Sequence, residues 1–192
     1  AIGRHSLANN TTADNNTAVG YQAGYYTTTG SQNTFLGRLA GQNSTTGASN
    51  TFVGTASGYL MTTGSNNTIL GAFPGNSGGL DIRTSSNNIV LSDGAGNARV
   101  VVDSSGVLLV GKTASDGAVV GHELRNTSFA AHTVSGGAAL YARRMTNDGD
   151  IMVLQSNSGT IGSLSIYGGS LNIGGGDVGL GFYQVSDVIS PV

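Results

Sequence analysis

The sequence contains no cysteine and no tryptophan, and only two prolines. Without cysteine, disulfides are removed as a source of stability, so the fold must rest on packing, stacking and other chains. Charged residues make up only 9% of the 192 positions, too few for a charge-driven disordered chain. The formal net charge is −2 and no Lys/Arg run exists. A nucleic-acid partner would need a basic stripe to neutralise phosphates, so none is expected. No apolar run approaches the roughly 20 residues of a membrane span, and no signal peptide is visible. Membrane insertion is therefore not expected. Between Asn15 and Leu80 the one charged residue is Arg38, which nearly excludes general acid–base chemistry from that stretch.

What the chain has in abundance is glycine, 32 residues, without the Gly-X-Y period of collagen. Gly3, Gly20, Gly37, Gly54 and Gly71 fall 17 residues apart, each closing a short apolar strand. The words around them repeat: Asn16-Thr17-Ala18-Val19, Asn33-Thr34-Phe35-Leu36, Asn50-Thr51-Phe52-Val53 and Asn67-Thr68-Ile69-Leu70. A fixed period near 20 residues signals one unit stacked on copies of itself, a rod or binding surface more than an enzyme. Other columns align, notably Thr11/Thr28/Thr45/Thr62, Thr12/Thr29/Thr46/Thr63 and Gly24/Gly41/Gly58/Gly75. Glycines supply the corners, where φ is positive. Stacked strands place identical side chains about 4.8 Å apart, which predicts an amide ladder of asparagines and hydroxyl ladders of threonines.

Each strand word carries two adjacent apolar residues, and neighbours on a strand point to opposite faces. One face fills the coil. The other needs a partner surface, which predicts an oligomer, with a trimer along the rod axis as the expected form.

The fold class is all-β: a parallel β-roll or solenoid rod of 17-residue coils over 1–79, followed by small β-meander or β-sandwich-like modules. The repeat breaks at Pro74-Gly75-Asn76-Ser77-Gly78-Gly79, and Asn88-Ile89-Val90-Leu91-Ser92 echoes it four residues late. Residues 80–124 read as a connector of strands and turns, with Asp93-Gly94 and Asp103-Ser104-Ser105-Gly106 as turn signals. Residues 125–192 read as a C-terminal β-module. There a hairpin is expected around Asn147-Asp148-Gly149-Asp150, with strands over 161–167, 170–173 and 179–183.

Two stretches carry a family resemblance. NTAVGYQAG and TTGSNNTILG resemble the head-type repeats of phage tail-fibre proteins and, more distantly, the β-roll repeats of trimeric autotransporter adhesins. Residues 139–192, with NDGDI, GTIGS and GLGFY in that order, resemble the segment that precedes an intramolecular chaperone domain in phage fibres. The resemblance implies a homotrimeric tail-fibre or tailspike-like virion protein, extracellular, in contact with a host-surface glycan or protein and with other tail proteins. It places the chaperone beyond Val192, as expected of a cleaved or partial chain; entry into the repeat part-way, at Ala1, fits the same expectation.

No catalytic, cofactor or metal residues are assigned. Asp148/Asp150 is the tempting pair for glycosidic chemistry, which needs two carboxylates about 5–9 Å apart, but a hairpin turn explains it better. Glu123 has no obvious partner. His5, His122 and His132 lack transition-metal spacing. Asp93-Gly94-Ala95-Gly96-Asn97 lacks the alternating oxygens of a calcium loop and reads as a turn. Gly174-Gly175-Gly176 is not a phosphate loop. Asn10 and Asn126 open chance sequons, and one of Arg143-Arg144 is expected to pair with a carboxylate of a neighbouring chain. Tyr21, Tyr25, Tyr26 and Tyr59 are the candidate receptor or glycan contacts, because the ring is apolar and its tip polar. The expected function is a structural fibre for host attachment. Alternatives are a bacterial trimeric adhesin fragment, an ice-binding solenoid with regular Thr columns, and a polysaccharide-cleaving tailspike, the last disfavoured by the shortage of paired acids.

Overall fold

The computed structural model describes residues 1–116, 119–125, 130–135, 149–156, 159–167, 170–175, 178–182 and 189–191. The described residues are all β, with a parallel β-solenoid of about four turns. No helix among them is long and apolar enough to cross a membrane. The chain divides into two compact units, Ala1–Ala139 and Leu140–Val192.

In the first unit the repeated words become β1 (Thr17–Val19), β2 (Thr34–Leu36), β3 (Thr51–Val53) and β4 (Thr68–Leu70), stacked in parallel with Thr on Thr. The middle residue of each points inward and is fully buried: Ala18, Phe35, Phe52 and Ile69, with the Phe35 and Phe52 rings 5.6 Å apart. Two further columns complete the core, Ala23/Ala40/Ser57 and Thr27/Ser44/Met61. Glycines make room for the two rings: Gly24 and Gly41 lie against Phe35, and Gly58 against Phe52. Gly41 shows how tight this is: its φ is 59°, and a Cβ there would lie 2.3 Å from the Phe35 ring.

The asparagine ladder forms. Asn33, Asn50, Asn67 and Asn88 each give their backbone N–H to the Oδ1 of the asparagine one coil earlier, at 2.8–3.0 Å. Their side-chain amides donate to carbonyls across the turn, as Asn33 does to Gly47 and Asn50 to Gly64, both at 2.9 Å. The threonine column differs from a hydroxyl ladder. Thr11, Thr28, Thr45 and Thr62 donate instead to the backbone carbonyls of Thr28, Thr45, Thr62 and Arg83 in the next coil. A carbonyl one strand away is a fixed, better acceptor than a rotating hydroxyl.

Glycine does not make every corner. Asn15, Gln32, Ser49, Asn66 and Asn87 adopt φ of 57–63° immediately before each ladder asparagine, and Gln22, Leu39 and Ala56 adopt φ of 53–60° after the strands.

The parallel stack also runs past the expected boundary at Gly79. A small hairpin, β5 (Asn76–Ser77) with β6 (Leu80–Asp81), is inserted in the fourth coil, and β7 (Ile89–Ser92) then stacks parallel on β4. The four-residue delay of Asn88-Ile89-Val90 is that hairpin. Beyond it the sheet turns antiparallel, as a meander of β8 (Ala98–Val102), β9 (Leu108–Val110), β10 (Gly121–Leu124) and β11 (Ala130–Thr133). The result is one nine-stranded sheet. Its inner row continues through Val90, Val101 and Leu109, all buried, to Glu123.

In the second unit β12 (Gly149–Ser156), β13 (Gly159–Tyr167), β14 (Ser170–Gly175), β15 (Val178–Phe182) and β16 (Ile189–Pro191) form a five-stranded antiparallel meander. The expected strands over 161–167 and 170–173 fall within β13 and β14, and the one expected over 179–183 coincides with β15 as far as Phe182. Residues 136–148, and with them Arg143, Arg144, Asp148 and the first arm of the expected hairpin, lie outside the described residues, as do Asn126, Gly176 and Tyr183.

Candidate functional site

Two surfaces of the first unit stand out. The first is the outer face of the nine-stranded sheet. The residue after each buried one points outward, and in register this places Val19, Leu36, Val53, Leu70 and Leu91 in one row. Leu36, Leu70 and Leu91 are 40–46% exposed. Antiparallel pairing carries the row on through Val100 and Val110. A second row on the same face runs Thr17, Thr34, Thr51, Thr68, Ile89, Val102 and Leu108 to Leu124. Isolated exposed leucines are ordinary, but a continuous apolar strip is not.

The second surface is a shallow groove on the flank of the coils. Two concavities of about 550 and 520 Å³ meet at Asn43. Asn9, Thr11, Tyr26, Thr28 and Thr45 line one, and Leu60, Thr62, Asp81, Arg83 and Thr84 the other. The repeat builds this groove: Asn9, Tyr26, Asn43 and Leu60 are one column, and the carbonyl-bonded threonines are another. Tyr26 is half exposed, and its ring stands edge-on to Tyr25 at 4.7 Å. At the far end Arg83 donates to Asp81 at 2.7 Å. The Arg83 hydrogen bonds hold the Asp81 carboxyl below its usual range, and Asp81 raises the guanidinium in turn. Asp81 is the one carboxylate among the lining residues, so the groove has an apolar ring and many neutral hydrogen-bonding groups but no acid pair.

Of the four candidate tyrosines, only Tyr26 lines the groove. Tyr25 braces it and also lies edge-on to His5 at 6.1 Å. Tyr59 is two coils along the Tyr25 column, half-buried, with Gln42 between them; Tyr21 is exposed on a different stretch of the coil, beside the strand-closing glycine. Asn9, Asn43, the threonine column and the Asp81–Arg83 pair line the groove without any local motif that marks them as contact residues. Columns nine and eleven residues after each strand start held the signal.

Asp93 takes the N–H groups of Ala95 and Asn97 at 3.0 and 2.9 Å and is ion-paired to Arg99, which makes it a turn staple. Its carboxyl is held well below the ordinary range, first by Asn97 and then by Arg99. Asp103 repeats the device with Ser105 and Val107. Glu123, expected to lack a partner, is instead fully buried and tied to Lys112 at 2.9 Å, to Ser115 at 2.5 Å and to Arg125. These are the only glutamate and only lysine of the chain. The Ser115 hydroxyl first, then Lys112 and Arg125, pull the Glu123 carboxyl down to about 2. His122 and His132, distant in sequence, face each other across β10 and β11. Asp150 lies on β12, and the geometry of the Asp148/Asp150 pair falls outside the described residues.

Compared with family models, curated proteins and solved structures, the chain matches none.

Proposed function

We propose that this chain is a structural fibre segment that assembles as a homotrimeric β-rod, serves a virion tail, and contacts the host surface. The observation that carries the reading is the outer apolar strip. The inward column is already buried inside the coils, from Ala18 through Phe35 and Phe52 to Ile69, while the adjacent row of Val and Leu faces outward. Over the five parallel strands the strip runs roughly 19 Å at the usual strand spacing. Burying it against two further copies supplies the apolar area that a thin coil lacks, since burial is worth about 25 cal/mol per Å². The near absence of charge along the coils favours a partner equally uncharged, as another copy is.

The flank groove serves as the contact surface for a neutral host glycan. Tyr26 offers an apolar ring for a sugar face, and Asn9, Asn43 and the threonines offer donors and acceptors for hydroxyls. The test of the assembly is the paired substitution Leu36→Asp with Leu70→Asp. It should convert a trimer to monomer, read by analytical ultracentrifugation; a variant that sediments like the parent removes the strip from the interface. Tyr26→Ala should abolish retention on bacterial surface polysaccharides while assembly is unchanged. Equal retention would take the groove out of the account.

A further inference from the structure

The outer row of the sheet ends in two imidazoles. His122 on β10 and His132 on β11 are directly opposed partners of an antiparallel pair, and His122 is also opposite Val110 on β9. Their rings are 4.8 Å apart at 65°, and the two Nδ1 atoms are 2.6 Å apart. His122 is exposed and His132 half-buried, so water reaches the pair. Two nitrogens so close form an N–H···N contact in which one ring donates and the lone pair of the other accepts.

We propose that His122 and His132 form a bidentate site for a borderline divalent transition-metal ion such as Zn²⁺ or Cu²⁺, bound through both Nδ1 atoms in place of the donated proton. Metal–imidazole bonds of about 2.0–2.1 Å at angles between square and tetrahedral need the nitrogens about 2.9–3.4 Å apart. The present pair must open by only a few tenths of an ångström to reach the lower limit, which small rotations of two surface side chains supply. Imidazole donors suit Zn²⁺, Ni²⁺ and Cu²⁺ rather than Ca²⁺ or Mg²⁺, with Cu²⁺ bound most tightly. Among the described residues no third His, Asp, Glu or Cys completes the cluster. The remaining coordination positions therefore go to water or an outside ligand. Because β11 is the last strand of the nine, such an ion clips a sheet edge to its neighbour. It stabilises the sheet in proportion to its binding.

The site is independent of the fibre reading and is tested on the full chain. Calorimetric titration with Zn²⁺, and electron paramagnetic resonance with Cu²⁺, should show one ion per chain with two nitrogen ligands. Loss of an outer-shell partner alone costs about 10–100-fold in affinity. His122→Ala or His132→Ala should lose at least that much, while His5→Ala keeps full affinity. Zn²⁺ should raise the melting temperature of the parent and of His5→Ala but not of the two site variants. Circular dichroism of the variants guards against misfolding, and His122→Asn provides a polar replacement if His122→Ala is unstable. No saturable binding, or binding that survives the double substitution, overturns the site.

Discussion

At the residue scale, two buried hydroxyls oppose the fold that holds them. Thr27 and Ser44, in successive coils of the inner column, have no hydrogen-bond partner for Oγ1 and Oγ. A buried unpaired hydroxyl costs about 1–3 kcal/mol, so Thr27→Val, nearly the same shape, should stabilise by about 1 kcal/mol in chemical denaturation. A destabilised variant would mean that the hydroxyl is satisfied in solution. Glu123 is the opposite case. Its carboxyl lies near 2 in the fold against an ordinary 4.5, so the folded state favours the charged form. That contribution is complete above pH 4.5 and is lost as the pH falls toward 2. Melting temperature should drop across this window, and Glu123→Gln should flatten the drop while lowering stability at pH 7, because the buried Lys112 ammonium keeps the Asp116 carbonyl but loses its opposite charge. These pairs were invisible to a reading by local spacing. Lys112 and Glu123, like His122 and His132, meet only after the meander sets strand register, and no periodicity runs through that part of the chain.

At the element scale the coil is held by repeated identical contacts, and those were legible. A 17-residue spacing that keeps Asn, Thr and Gly in fixed columns leaves one register, and parallel stacking then makes the asparagine ladder unavoidable. The corners were less legible. Asn15, Gln32, Ser49, Asn66 and Asn87 take left-handed backbone without glycine, because the coil closure and the next ladder amide over-determine them. The Pro-Gly-rich run at the hairpin β5–β6 carries the signals of a repeat end, yet the four-residue insertion leaves the stack uninterrupted, with β7 parallel to β4. Two substitutions test the ladder. Asn50 accepts from the Asn67 N–H and donates to Gly64 and Asn33, all in a fully buried column. Asn50→Ala should cost about 3 kcal/mol or more, since several buried groups lose partners together. Gly54 has φ of 133°, and a Cβ there would lie 2.3 Å from the Gly71 carbonyl oxygen. Gly54→Ala should cost at least about 3 kcal/mol by strained backbone and forced coil separation. Near-parental stability in either variant would show that the coils do not depend on these columns.

At the scale of the whole molecule, the first unit is a sheet with a complete inside and an unfinished outside. Its inner row is buried from Ala18 to Glu123, while its outer row leaves Leu36, Leu70 and Leu91 nearly half exposed. The two-faced apolar words of the sequence already pointed to that imbalance. Of the groove only Tyr26 is legible in the sequence, because the rest of its lining comes from columns of ordinary Asn and Thr that gain meaning only when stacked. The unfinished outer face calls for self-association, which the mass of the intact chain in solution reports. Light scattering at neutral pH should return three times the 19.2 kDa chain mass. A mass of one chain, unchanged on concentration, would contradict it.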